Sequence, residues 1–77
     1  MEEKIKALMN EIAPGSGDYE GDNVLEAGIM DSMQVVELVV TLEEEFEIEI
    51  DPELVTEENF KNLKAVVSMM EGLLGGN

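Results

Sequence analysis

Cysteine, histidine and tryptophan are all absent from this chain of 77 residues. Without cysteine there is no disulfide framework, no thiolate nucleophile and no sulfur ligand for a metal. Without histidine the commonest general base and metal ligand is missing as well. Basic residues are scarce. Lys+Arg number 4 against 19 Asp+Glu, which leaves a formal net charge of -15 and a pI near 4.1. Nucleic-acid binding needs cations to neutralise phosphates, and docking on an anionic bilayer needs them too, so neither is expected. No apolar run nears the ~20 residues that cross a bilayer. No basic-then-apolar leader opens the chain, and the expected compartment is the cytoplasm. At 8.5 kDa the chain is expected to be one domain over residues 1–77. Domains this short bury only about 60% of their unfolded surface. A large active-site cleft does not fit, and the chain is not expected to be an enzyme.

Hydrophobic residues are nonetheless 44% of the sequence, far more than an acidic disordered tail carries. They are mostly aliphatic residues and Met, a composition that suits a small helical bundle. Charge is distributed unevenly. The four lysines are Lys4, Lys6, Lys61 and Lys64, and from Ala7 to Phe60 there are 16 acids and no base. Such a stretch is either a solvated, soluble surface or an electrostatic landing face for basic partners.

Ile5, Leu8, Met9 and Ile12 recur at helical spacing, which predicts a first helix over Glu2–Ala13, stopped by Pro14-Gly15. Glu2 and Glu3 favour its N-terminus through the helix dipole. Pro14 to Asp31 reads as a long loop, with Gly15, Gly17, Gly21 and Gly28 in it. Val24 and Leu25 are placed to pin it to the bundle. Loops of this length are usually functional or disordered.

From Asp31 to Phe46 a long helix is predicted, capped by Asp31 or Ser32. Val35, Leu38, Val39, Leu42 and Phe46 form one apolar stripe, wide enough to bury the helix. Met33, Val36 and Val40 form a second stripe flanked by Glu37 and Glu44. A chain this short cannot easily bury two faces of one helix. Either the loop covers the second stripe or the stripe is exposed for a partner. Glu47-Ile48-Glu49-Ile50 reads as an extended connector with Ile48 and Ile50 inward. Asp51-Pro52-Glu53 reads as a turn, and Thr56 as the cap of a short helix through Phe60. Asn62 caps a last helix whose face is Leu63, Val66, Val67, Met70 and Leu74. Gly75-Gly76-Asn77 reads as a frayed end. The expected fold is all-α, a small four-helix bundle of three longer helices and one short helix, with a long loop between helices one and two.

Few parts for catalysis remain. Glu43-Glu44-Glu45 reads as a solvated helix face. Asp18, Glu20, Asp22 and Glu26 suggest a hard-cation loop, but a twelve-residue calcium loop from Asp18 would place Asn23 at the glycine position and Ile29 at the bidentate-glutamate position. No metal site is therefore expected, and a calcium-responsive interaction module is a remote alternative. Ser32 stands where a Gly-bearing loop meets the N-terminus of the strongest helix. A phosphate ester there would meet unpaired N–H groups and a favourable dipole. The plainer alternative is that Ser32, or Asp31 beside it, is only a cap.

Gly28-Ile29-Met30-Asp31-Ser32-Met33, then Val36-Glu37-Leu38-Val39 and Leu42-Glu43-Glu44-Glu45-Phe46, resembles the acyl carrier protein family, and the resemblance runs over nearly the whole chain. It implies 4′-phosphopantetheine attached covalently to Ser32 through a phosphodiester, with Asp31 read by the modifying phosphopantetheinyl transferase (holo-carrier synthase). It implies that Met33, Val36 and Val40 are recognition positions, with Glu37 and Glu44 meeting basic enzyme surfaces. The implied function is to carry acyl intermediates as thioesters in fatty acid, polyketide or related specialised biosynthesis. The implied partners are an acyl- or aminoacyl-activating ligase and acyltransferases or ketosynthases with basic docking patches, the carrier itself being a monomer. Ala27 at a usual Leu position, Met33 for the usual Leu, and Thr56-Glu57-Glu58-Asn59-Phe60 before the last helix look more like stand-alone specialised carriers. The alternative is therefore an aminoacyl, D-alanyl or peptidyl carrier serving an amino-acid-activating ligase.

Overall fold

The first helix, α1, spans Glu2–Ile12 and buries Ile5, Leu8 and Met9. It is one residue shorter than the spacing predicts. Ala13 adopts φ -136° and ψ 95°, because the residue before a proline is driven out of the α region. The computed structural model describes residues 1–75. Its remaining elements are α2 (Ser32–Phe46), a 3-10 turn (Pro52–Leu54), α3 (Glu57–Phe60) and α4 (Leu63–Leu74). α1 packs on α2 and on α4, and α3 packs on α4. The result is an all-α bundle with a Cα radius of gyration of 11.2 Å. Among the described residues, no helix is long and apolar enough to cross a membrane.

The predicted caps form. Asp51 accepts from the Glu53 N–H, Thr56 from Asn59 and Asn62 from Ala65. Each satisfies a donor that the start of a helix leaves orphaned. Phe60, Ile5, Met9, Met30, Leu38, Leu42, Val24, Val66 and Met70 make the fully enclosed part of the core. Val66 and Met70 carry the face predicted for α4, with Leu63 and Val67 half-buried. Leu74 departs from that face and is exposed at the end of the helix. Gly75, expected to fray, still donates to the Glu71 carbonyl at 2.8 Å. Residues 76 and 77 of that expected tail lie outside the described residues.

The long connection between α1 and α2 is fastened at both ends. Asn10 Oδ1 accepts from Gly15 N–H at 3.1 Å and from Gly17 N–H at 2.9 Å. The buried Ser16 hydroxyl donates to the Met9 carbonyl at 2.9 Å. Further on, Val24 is fully buried. Its N–H donates to the Lys61 carbonyl at 2.6 Å, and its own carbonyl accepts from Ile29 and Met30. Val24 pins the loop as expected, and Asn62 adds a tie by donating to the Gly21 carbonyl at 3.3 Å. The loop has no regular secondary structure, yet its buried polar groups are paired. Among the described residues no buried side-chain nitrogen or oxygen lacks a partner.

After α2 the chain reverses through Glu47, which takes the left-handed conformation at φ 55° and ψ 49°. The expected connector thus begins with a left-handed residue, and residues 48–50 have no regular secondary structure. Ile50 is buried and Ile48 half-buried, as the alternation predicts. The acid run before it is not a uniform solvated face. The Glu43 carboxylate accepts from the Ile50 N–H at 2.8 Å. Glu45 pairs with Lys4 at 3.1 Å, and Lys4 also lies 5.6 Å from the centre of the Phe46 ring. Only Glu44 of the three fits the expected solvated face, exposed and without an ion-pair partner among the described residues.

Candidate functional site at the head of the second helix

Two residues compete in the sequence for the cap of α2, and Asp31 takes it. Its Oδ1 accepts from the Gln34 N–H at 2.8 Å, while Gln34 Oε1 accepts from the Asp31 N–H at 2.9 Å. This reciprocal pair is a capping box and satisfies two orphan donors at once. Gln34 also donates through Nε2 to the Ile12 carbonyl at 3.2 Å. The head of α2 is thereby tied to the tail of α1. The Asp-x-x-Gln spacing carries the signal for Gln34, although the sequence reading passes over it.

Ser32 is the first residue of the helix and is exposed. Among the described residues no hydrogen bond engages its hydroxyl. The N–H groups of Ser32 and Met33 have no acceptor within the helix, as at any helix start. Gly28, in the turn leading in, sits at φ 77°, where an L side chain is strained. Ser32 also borders an open recess of about 260 Å³ with Leu25, Val35, Val36, Val55, Thr56 and Glu57. Leu25 and Val55 come from the loop and the turn before α3. Only the tertiary fold brings them beside Ser32.

The second stripe is uncovered. Met33 is 75% exposed, Val36 58% and Val40 47%, whereas Val35, Leu38 and Leu42 on the opposite face are buried. Met33, Val36, Glu37, Val40 and Thr41 line a shallow recess of about 400 Å³. Glu37 and Glu44 are exposed on the same side of α2. An acid-rimmed apolar strip therefore starts at the residue after Ser32 and runs along the helix.

The acids of the long loop do not converge. Asp18 pairs with Lys6 at 3.1 Å and accepts from Asn10. Among the described residues no three acids stand close enough to hold a metal ion. A recess of about 600 Å³ lies against Lys6, Tyr19 and Lys64 and includes none of the residues at the head of α2.

Residues 3–70 match the family model described as the phosphopantetheine attachment site. The chain belongs to the phosphopantetheine carrier family. The carrier is also 30% identical over 74 residues to the D-alanyl carrier protein of Leuconostoc citreum (strain KM20), covering 96% of this chain and 95% of the relative. Its prosthetic group is covalent 4′-phosphopantetheine. The head of α2 suits such a group. The exposed Ser32 hydroxyl is uncommitted, and the free helix N–H groups beside it favour a phosphodiester anion. Of the carrier's other serines, Ser16 is buried and hydrogen-bonded, and Ser68 lies within α4.

Proposed function

We propose that Ser32 bears the 4′-phosphopantetheine and that the chain, as one domain, is a non-catalytic shuttle for an aminoacyl group of the D-alanyl type. The observation that carries the assignment is the division of roles between neighbours: Asp31 closes the helix while Ser32 points an uncommitted hydroxyl into solvent. Bound, the group supplies a thiol on a flexible arm, a group that this cysteine-free chain lacks. The near-full-length similarity to a D-alanyl carrier protein supports the cargo.

In this reading the modifying transferase takes the arm from coenzyme A in the cytoplasm and reads Asp31 beside the hydroxyl. An activating ligase then loads the cargo. Met33, Val36 and Val40 supply the apolar contact, and Glu37 and Glu44 steer basic partner surfaces onto it. A small contact of this kind suits a carrier that must leave each partner quickly. The apolar recess at Ser32, walled by Leu25, Val35, Val36 and Val55, favours a second reading, an acyl group of fatty acid or polyketide type.

Intact-mass measurement after incubation with a phosphopantetheinyl transferase, coenzyme A and magnesium tests the attachment. The native chain gains one phosphopantetheinyl group and Ser32→Ala gains none. A gain retained in Ser32→Ala, or none in the native chain, refutes the assignment. Offering the loaded carrier to activating ligases with D-alanine, other amino acids and fatty acids then separates the two cargoes.

A further inference from the structure

We propose that Met33 is an oxidation site whose sulfoxide weakens docking on the outer face of α2. This rests on the reading of that face as the partner-facing surface. Exposure grades the six methionines, with Met69 half-buried between the extremes. Met9, Met30 and Met70 are at 0%, 2% and 0%, whereas Met1 is at 45% and Met33 at 75%. Met33 is thus the most accessible thioether, and it stands directly after Ser32 on the apolar strip.

The chemistry is a two-electron oxygen transfer with hydrogen peroxide as oxidant. The sulfur lone pair attacks one peroxide oxygen and the O–O bond breaks. Sulfur keeps that oxygen and loses two electrons, the other oxygen departs as hydroxide, and the proton of the retained oxygen passes to it to give water. Attack needs access to sulfur, which the core denies to Met9, Met30 and Met70. At Met33 the change turns a flexible apolar side chain into a polar acceptor. Glu37, which shares the recess with Met33, can only accept hydrogen bonds when ionised and offers the new oxygen no donor, and the Thr41 hydroxyl of the same recess stands about 12 Å further along the helix. An apolar partner surface closing over the strip would then desolvate an unpaired polar group. Reduction by methionine sulfoxide reductase restores the thioether.

The test uses the full chain, treated with hydrogen peroxide that is then removed by catalase. Peptide mass mapping over time should show oxidation at Met33 and Met1 first and at Met9, Met30 and Met70 last. The rate of phosphopantetheine transfer, measured below saturating carrier, should fall about fivefold, the factor equal to roughly 1 kcal/mol for one unpaired polar group at a desolvated contact. The reductase should return that rate. Met33→Leu, compared with its own untreated sample, should show no peroxide-dependent fall. A thermal melt of the oxidised chain should match the untreated one. Oxidation of Met33 no sooner than Met70, an unchanged transfer rate, or an equal fall in Met33→Leu overturns the proposal. An untreated native chain that accepts no phosphopantetheine overturns the carrier reading and the docking half of this proposal with it, whereas unselective oxidation overturns this proposal alone.

Discussion

Val35 and Val36 are adjacent, identical in chemistry and in the same turn of α2, yet Val35 is 8% exposed and Val36 58%. Truncating each to Ala removes two methyl groups, worth about 0.8 kcal/mol apiece when fully buried. At Val36 more than half of that is already in water, so the loss is about 0.7 kcal/mol. Ala recovers about 0.6 kcal/mol as the better helix former, and Val36→Ala should leave stability nearly unchanged. At Val35 the transfer loss is about 1.5 kcal/mol, a cavity cost adds to it, and the propensity gain is the same. Val35→Ala should therefore cost about 1 kcal/mol or more, a large share of the roughly 4–12 kcal/mol that a domain of this length holds. Denaturant titrations with unchanged slopes would read the difference directly. Transfer kinetics should show the reverse at Val36, with kcat/KM falling about fivefold, equal to roughly 1 kcal/mol of lost contact. Equal destabilisation by the two substitutions would refute the claim that the second stripe lies outside the core.

Asp31→Ala should lower stability by about 1 kcal/mol through loss of the cap. Asp31→Asn should keep most of that stability, so a slower transfer in the Asn variant with an unchanged melt isolates recognition of the charge. Gly28→Ala meets open space, with nothing within 4 Å of an added Cβ, so its cost is the left-handed backbone alone, about 1–2 kcal/mol by denaturant midpoint. Raising salt from about 0.01 to 1 M shortens the screening length from about 30 to 3 Å. That should slow docking on basic partners and raise the melting temperature, since a net charge of -15 repels itself. The three ion pairs among the described residues, all on exposed side chains, are too weak to reverse the sign.

The helices were legible because their signals are local. Ile5, Leu8 and Met9 repeat at the spacing of one face, and Asp51, Thr56 and Asn62 each precede a helix whose orphan donors they satisfy. The second stripe of Met33, Val36 and Val40 was legible as a stripe, since a short chain cannot easily bury two faces of one helix, but whether the loop covers it was open in the sequence, and the fold leaves it exposed. What escaped depends on distant partners. Glu43 in an acid run carries no sign that it will cap Ile50. Nothing near Val24 announces a bond to Lys61. The choice between Asp31 and Ser32 as cap was open in the sequence because both are good caps. Gln34 decides it, by closing the box with Asp31 and reaching Ile12 at once.

That choice has a consequence for the life cycle of the molecule. A hydroxyl that holds nothing in place can be esterified and freed again without cutting any native bond. If Ser32 bears the arm, loading and stripping cut none of the fold's own bonds, and the bundle with the arm should unfold at a denaturant concentration no lower than without it, the anion at the helix start adding about 1 kcal/mol at most.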